Sequence, residues 1–231
     1  MGLPLIIGWF FDIQDLNSME QVTYRKYEVS REAEVCKVLT DAFYDYPLFY
    51  GVFKDRFRTE AELRSFYEKL LTSIFKATIR KNECYIGLIG ETVVSIVIIV
   101  SPADKKVGFG DYAVCGMPGI IKKLGLKNTL KYMELSDRTE EVVRSIDEPR
   151  WHLYFLAVDP KYQGNGVGSG AIYDFLIPKV KNNGGNLVTV TTNSEKNVAF
   201  YLNNGFSLVK EETIEYCGNH IGNWTFRMDL K

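Results

Sequence analysis

The sequence predicts a single α/β domain, and three observations support this fold class. The chain has 231 residues, 46% of them hydrophobic and 25% charged, which is the composition of a globular protein long enough to bury a full core. From His152 onward, segments of strand character alternate with segments of helix character. No stretch of the chain has the length and composition of a linker between two domains. Collagen-like, low-complexity and wholly disordered chains are therefore excluded.

The charge balance and the cysteine pattern narrow the possible functions. The chain has 28 Lys and Arg against 29 Asp and Glu, for a net charge of -1. Because there is no bulk positive field, we expect neither nucleic acid nor a membrane surface as a partner. The four cysteines form no CxxC pair and there are only two histidines, so we expect no metal site and reduced thiols, as in the cytoplasm.

The N-terminal segment is apolar but short. Residues 3–11 give about half of the roughly 20 residues that a membrane-spanning helix needs. No Lys or Arg precedes Arg25, so a secretory signal is not expected either. Two interpretations stay open: residues 1–18 are an extension upstream of a natural start at Met19, or they pack on the domain or on a second subunit of a homodimer. We favour the first, with the domain over residues 19–231.

The first elements are predicted to be a strand and a helix. Residues 22–29 alternate polar and apolar side chains, as in a half-buried strand. Ser30 is suited to be a helix N-cap, because Glu32 and Glu34 follow in the first turn. Apolar residues at helical spacing then continue this helix until Pro47 ends it.

A second helix, a hairpin and an insert follow. Residues 60–78 carry their apolar side chains along one stripe and predict a helix. Residues 84–102 predict a strand, a turn around Gly90 and a second strand, because this apolar run is too short and too rich in β-branched residues for a membrane helix. Residues 103–148 predict a helical insert, which the turn at Asp147 closes.

The C-terminal part has the clearest alternation of elements. It predicts a strand, a glycine-rich loop, a helix, a strand and a helix, and then two strands separated by a turn, over residues 152–158, 162–168, 169–181, 186–192, 194–203, 207–216 and 224–230.

The glycine-rich loop can hold a pyrophosphate. It runs Gln163-Gly164-Asn165-Gly166-Val167-Gly168 between a strand and a helix, so that backbone N–H groups and the positive end of the helix dipole converge there. A Rossmann turn fits poorly, because the next strand ends in Thr191-Thr192-Asn193 without an acid. A P-loop also fits poorly, because Gly168-Ser169-Gly170 stands where Lys-Ser or Lys-Thr is needed.

With its flanks, this loop resembles the acetyl-CoA signature of the GNAT N-acetyltransferase superfamily. Residues 156–160, LAVDP, match a strand ending Val-x-Pro, and residues 163–168 match Gln/Arg-x-x-Gly-x-Gly/Ala. Asn197 and Tyr201, followed by Gly205-Phe206, resemble the second hallmark. The resemblance implies a central mixed, mostly antiparallel twisted sheet of about seven strands, flanked by helices and splayed at the acetyl-CoA site.

The resemblance also implies the cofactor, acetyl-CoA, and the residues that hold it. The backbone of Leu156, Ala157 and Val158 is expected to pair with the pantetheine arm like an added strand. The loop from Gln163 to Ser169 is expected to bind the pyrophosphate, and Asn193 and Asn197 are expected to contact the cofactor near its pantetheine end.

Two residues are candidates for catalysis. Tyr201 resembles the family's tyrosine that protonates the leaving thiolate, and a phenol facing the cofactor can serve as that acid. The alternative, a core aromatic with a satisfied hydroxyl, stays open.

His152 lies four positions before Leu156, where histone-modifying members carry a glutamate base. Strand periodicity would place His152, Tyr154 and Leu156 on one side, and an imidazole titrates near neutrality. A histidine that only holds a loop is the alternative.

The aromatic run from Phe43 to Tyr50 is expected to wall the acceptor site, because tyrosine suits a wet cleft, and Asp45 could meet an ammonium group. The insert over residues 103–148 resembles that of puromycin N-acetyltransferase-like members.

We therefore expect a cytoplasmic enzyme that transfers an acetyl group directly to a primary amine of a small molecule. The alternatives are a protein N-terminus or lysine as acceptor, a longer acyl group, and a non-catalytic acyl-CoA sensor; an intact Tyr201 and Asn197 favour the enzyme.

Overall fold

A computed structural model describes residues 21–231, so the predicted extension at residues 1–18 lies outside the described residues. The fold is built on a seven-stranded sheet in the order β1-β2-β3-β4-β5-β7-β6. Strands β4 and β5 are parallel, and every other neighbouring pair in this sheet is antiparallel. The predicted mixed α/β sheet is therefore confirmed. The strands are β1 Thr23–Lys26, β2 Glu83–Ile89, β3 Thr92–Val100, β4 Trp151–Val158, β5 Leu187–Thr192, β6 Ser207–Tyr216 and β7 Asn219–Asp229.

Helices cover both faces of this sheet. One helix runs without a break through α8, a π-helical stretch, Ala171–Leu176, and α9. No helix within residues 21–231 is long and apolar enough to cross a membrane. The helices are α1 Glu32–Ala42, α2 Pro47–Phe53, α3 Glu60–Ile79, α4 Phe109–Val114, α5 Met117–Leu124, α6 Leu126–Thr139, α7 Glu141–Arg144, α8 Val167–Gly170, α9 Ile177–Asn182 and α10 Lys196–Asn203.

The start and end of the first helix differ from the prediction. A 3₁₀ turn, Val29–Arg31, precedes α1, so Ser30 is not its N-cap. The guanidinium of Arg31 instead contacts carboxylates of Glu34 and Glu91, at 2.8 and 2.6 Å, and ties this turn to the β2–β3 hairpin. Pro47 does not end α1; it stands in the first turn of α2, where its fixed φ and missing N–H cost nothing.

The insert packs on the same side as α2. Its helices α4 to α7 follow β3, and the ring of Tyr132 on α6 lies 5.1 Å from that of Phe53 on α2 and 6.3 Å from that of Phe49. These rings belong to one core that also contains side chains of α3 and of the β6–β7 hairpin. The end of α6 is thereby brought over the sheet where β4 and β5 meet. A separate core lies between the helices from α8 to α10 and the other face of the sheet.

Candidate active site

The sheet opens between its two parallel strands. Strand β4 pairs with β5 only from Trp151 to Leu153, whereas its pairing with β3 continues to Val158. Between Ile98 and Ile99 the register of β3 on β4 shifts by one residue, which leaves Tyr154 as a β-bulge. The β5-facing edge of β4 beyond Leu153 therefore has backbone groups that β5 does not pair, and these can receive another extended chain.

The bulge also changes which side chains share a face of β4. Leu153 and Leu156 both pack on the core beneath the helices from α8 to α10. The side chain of His152 lies on the opposite face, beside Thr189. The expectation that His152, Tyr154 and Leu156 lie on one side is therefore wrong, because one extra residue in a strand reverses the alternation that follows.

The glycine-rich loop has the shape that the sequence motif indicates. Gly164 and Gly166 both have a φ of +79°, and a Cβ on either would point into open space. The Gln163 side-chain amide donates to the carbonyl of Val158, at 3.0 Å, and so fixes the loop to the end of β4. The exposed loop leads directly into the continuous helix that starts at Val167, whose first N–H groups have no partner within the helix.

A cleft lies where β4 and β5 part. Side chains of the loop between α1 and α2, of α2, α3 and the insert, of both strands and of α10 form its wall. Three members of the predicted aromatic wall, Phe43, Tyr46 and Phe49, are among the lining residues. The others are Leu48, Ile74, Tyr132, Ser136, Thr139, Glu140, Leu153, Tyr154, Phe155, Leu156, Val190, Thr191, Thr192, Asn193, Asn197 and Tyr201.

Tyr201 reaches this cleft from α10. Its ring is buried against Phe200, Phe206 and Phe226, with centroids 5.2 to 5.5 Å apart. Burial raises the pKa of the Tyr201 phenol, and the neighbouring phenol of Tyr46 raises it further. The hydroxyl is therefore a proton donor throughout the neutral pH range.

Polar contacts of Thr192 fix Asn197 at the start of α10. The Asn197 side-chain amide donates to the hydroxyl oxygen of Thr192 at 3.1 Å, and the backbone N–H of Ser194 donates to the same oxygen at 3.2 Å. The Tyr46 hydroxyl lies 3.3 Å from this oxygen and accepts the backbone N–H of Asn193 at 2.7 Å. Sequence reasoning assigned no role to Thr192, since it carries no motif of its own.

The sequence predicts that Asn193 contacts the cofactor, but its side-chain amide already donates to groups within the protein. Its amide group donates to the carbonyl of Gly222 at 2.9 Å and to the side-chain oxygen of Asn223 at 3.1 Å. Asn193 thus joins the end of β5 to β7.

His152 does not line the cleft, but it holds a residue that does. The buried imidazole places Nδ1 3.0 Å from the hydroxyl oxygen of Thr189 and Nε2 3.2 Å from Oε2 of Glu140. The Glu140 side chain is 27% exposed and lines the cleft between α6 and α7. Although burial raises the pKa of this carboxyl, His152, with Arg144 and Arg150, lowers it below its usual value. Sequence reasoning missed Glu140, because only the packing of the insert brings it here.

Two further sequence candidates lie off the cleft. Asp45 is exposed and sits 3.7 Å from the ammonium of Lys196, so it does not line the acceptor wall. Within the described residues, none of the four cysteines lines this cleft. No thiol is therefore placed to form an acyl-enzyme there.

The groups of this chain fit a CoA thioester. The unpaired edge of β4 beyond Leu153 can take the pantetheine arm as an added strand. The open space at Gly164 and Gly166 and the first N–H groups from Val167 can take the pyrophosphate. An open mixed sheet with these features and a phenol in the cleft defines an acyltransferase that uses a CoA thioester.

Comparison with known proteins matches part of the chain to a protein family. Residues 128–227 match the family model "Acetyltransferase (GNAT) domain". Over these residues the chain has a GNAT acetyltransferase domain; it is an enzyme of the N-acetyltransferase type, and acetyl-CoA is its cosubstrate. The resemblance to GNAT proteins is confirmed at this level, and the puromycin-like subtype stays a prediction. No match is found among curated protein sequences.

Solved structures with the same fold are similar over almost the whole chain. One is described as histone acetyltransferase HPA2 and related acetyltransferase from Corynebacterium glutamicum, with 15% identity, a TM-score of 0.60, and coverage of 91% of this chain and 97% of that one. An agmatine N-acetyltransferase mutant has 18% identity and a TM-score of 0.58, over 90% and 99%. The polyamine N-acetyltransferase of Drosophila melanogaster has 18% identity and a TM-score of 0.56, over 91% and 100%.

Proposed function

We propose that this protein transfers the acetyl group of acetyl-CoA directly to a primary amine of a small molecule. The observation that carries the proposal is the parting of β4 and β5 beyond Leu153, beside a cleft that holds both Tyr201 and Glu140. Two of the structures with this fold, described as agmatine and polyamine N-acetyltransferases, favour a small amine as acceptor.

The roles follow from where each group lies. Bound acetyl-CoA supplies an acetyl group activated as a thioester. The backbone of Leu156, Ala157 and Val158 holds the pantetheine arm, and the loop from Gln163 to Ser169 holds the pyrophosphate, while Asn197 orders the start of α10 next to the cofactor. The two strands, the helices and the insert bring the amine next to the reacting carbon, which supplies much of the rate.

Tyr201 is the acid of the reaction. Its phenol lies in the cleft on α10, protonated because burial raises its pKa. The neutral amine nitrogen bonds to the acetyl carbon and releases one proton to water, while the C–S bond breaks. The phenol donates its proton to the leaving sulfur and regains one from water. With no cysteine lining the cleft within the described residues, the acetyl group passes to the amine in one transfer.

The test is release of free CoA thiol, read with a chromogenic thiol reagent, from acetyl-CoA in the presence of a panel of amines. We expect thiol release that depends on the amine and on Tyr201. Tight acetyl-CoA binding without release for any amine, peptide N-terminus or lysine would replace the enzyme with a sensor. Absence of acetyl-CoA binding would overturn the cofactor site itself.

A further inference from the structure

We propose that Glu140 determines the acceptor specificity: its carboxylate binds the ammonium group of a primary amine that carries one positive charge on an apolar or aromatic body. This inference rests on the proposed function and names its substrate class. His152 is the positioning residue for that carboxylate. A linear polyamine is, on this reasoning, a poorer substrate than an arylalkylamine.

The charges of the cleft favour a single cation. Among the cleft-lining residues within 21–231, Glu140 is the one Asp or Glu, and none is Lys or Arg. Asp45, in the loop before α2, does not line the cleft; it is 74% exposed and lies 3.7 Å from the ammonium of Lys196. One ammonium group therefore finds a partner on entering the cleft. A second ammonium group would find only uncharged hydroxyl and amide oxygens there, and burying a charge without a counter-charge is costly.

The rest of the wall combines uncharged polar side chains with aromatic rings that can pack on an apolar body. Besides Tyr201, six aromatic rings line the cleft, those of Phe43, Tyr46, Phe49, Tyr132, Tyr154 and Phe155. They come from the loop between α1 and α2, from α2, from the insert and from β4. Flat rings give a large contact area to another ring or an alkyl chain, and their faces also attract a nearby cation. Repeated amines along a chain gain little from such a wall.

The carboxylate is held in a fixed place by a chain of contacts from the sheet. Thr189 on β5 is completely buried and lies 3.0 Å from Nδ1 of His152, whose Nε2 is 3.2 Å from Oε2 of Glu140. This contact uses one carboxylate oxygen and leaves Oε1 for a ligand. Because its neighbours keep the pKa of Glu140 low, the carboxylate is ionised at neutral pH and binds the amine as its ammonium ion. The bound ammonium then loses one proton to water, and the neutral nitrogen attacks the acetyl carbon.

The test compares three acceptors at neutral pH: 2-phenylethylamine as a monocation, spermidine as a polycation, and aniline as an uncharged amine. For the wild-type enzyme we expect a higher kcat/KM for 2-phenylethylamine than for spermidine. Glu140→Gln keeps the size of the side chain but removes its charge. We expect it to raise the KM for 2-phenylethylamine by about ten-fold or more, with the KM for aniline and the Kd for acetyl-CoA unchanged.

Two further variants separate binding from a structural effect. Glu141→Gln makes the same change one residue later, at an exposed position outside the cleft, and is expected to leave all three acceptors unchanged. His152→Ala is expected to raise the KM for 2-phenylethylamine but not for aniline, an effect that His152→Gln restores in part. A general loss of structure would raise both values together.

The outcomes distinguish this inference from the function on which it rests. Use of no amine at all, with acetyl-CoA bound, would overturn the proposed function and this inference with it. Preference of the wild-type enzyme for spermidine would overturn the inference alone, and needs no variant. An equal rise of KM for charged and uncharged acceptors in Glu140→Gln would also overturn it.

Discussion

Packing against neighbouring rings holds Tyr201, the proposed acid, in place. Three neighbouring aromatic rings fix its ring, so Tyr201→Phe is expected to keep the fold and remove only the hydroxyl. We expect kcat to fall by about 10²–10⁴-fold, the usual contribution of a general acid, while the Kd for acetyl-CoA stays the same. Steady-state kinetics and calorimetric titration check this.

The pH profile gives a second readout of the same role. An unperturbed tyrosine loses its proton at about pH 10, and burial raises the pKa of Tyr201. The Tyr201 phenol therefore loses its proton only above that pH. Its deprotonation should therefore not limit kcat at lower pH. Equal losses of kcat and acetyl-CoA affinity in Tyr201→Phe would contradict the acid role. An alkaline limb near pH 8 that this variant abolishes would contradict the raised pKa.

Among single residues, those that belong to a motif could be selected from the sequence. Tyr201, Asn197 and the loop glycines stand in short patterns that resemble those of GNAT proteins, and their roles stay predictions that rest on this resemblance. Glu140 has no such pattern, because it reaches the cleft only when the insert packs on α2. The face of His152 could not be predicted either, since a one-residue bulge at Tyr154 is invisible to alternation of side chains.

Among the elements, the glycine-rich loop gives the sharpest prediction. Gly166 has a φ of +79°, which an L side chain rarely adopts, and the space next to it is open for a phosphate. Gly166→Ala therefore combines backbone strain with a methyl group in the proposed pyrophosphate site. We expect the Kd for CoA to rise at least about ten-fold, the equivalent of about 1.4 kcal/mol, as measured by calorimetry.

Gly119→Ala is the matched control for that loop. Gly119 lies in α5, away from the loop, and a Cβ there also meets nothing within 4 Å. It is expected to leave CoA affinity unchanged and to add about 0.5–1 kcal/mol to the free energy of unfolding, because alanine is the better helix former. Normal CoA binding by Gly166→Ala would contradict the assignment of the loop.

Long periodic elements were predictable and their junctions were not. The apolar stripe of α3 and the β2–β3 hairpin are written in consecutive residues, so their predicted and observed ranges agree within a few positions. Pro47 was misjudged because a proline is compatible both with the end of one helix and with the first turn of the next. The choice depends on Phe43 and Phe49, which pack on one core only if α2 forms.

At the scale of the whole molecule, the sheet of residues 21–231 consists of two halves that share little backbone pairing. Strands β1 to β4 form one half and β5, β7 and β6 the other, and only the pairs from Trp151 to Leu153 join them. The sequence predicts seven strands, yet it does not predict that β7 lies between β5 and β6. That order depends on long-range contacts such as those of Phe226 in the core with Val188 and Val190, which no local pattern encodes.

This architecture predicts how the whole molecule responds to its cosubstrate. A pantetheine arm along the free edge of β4 would connect the two half-sheets and bind only the native state. When the CoA concentration is about a hundred times its Kd, such binding adds about 2.7 kcal/mol to the free energy of unfolding. We therefore expect Tm to rise by on the order of 5 °C or more. Scanning calorimetry with and without CoA measures the shift.

Amide exchange then shows where the stabilisation arises. Within residues 154–158, we expect CoA to slow exchange at the N–H groups that are not directed at β3 and therefore face the gap beside β5. Exchange in β6, at the sheet edge, is expected to stay unchanged. Gly166→Ala serves as the control, because its weakened phosphate site should reduce both the Tm shift and the protection. A full Tm shift without slower exchange at residues 154–158 would place CoA elsewhere on the molecule, and the gap between the half-sheets would then need another explanation.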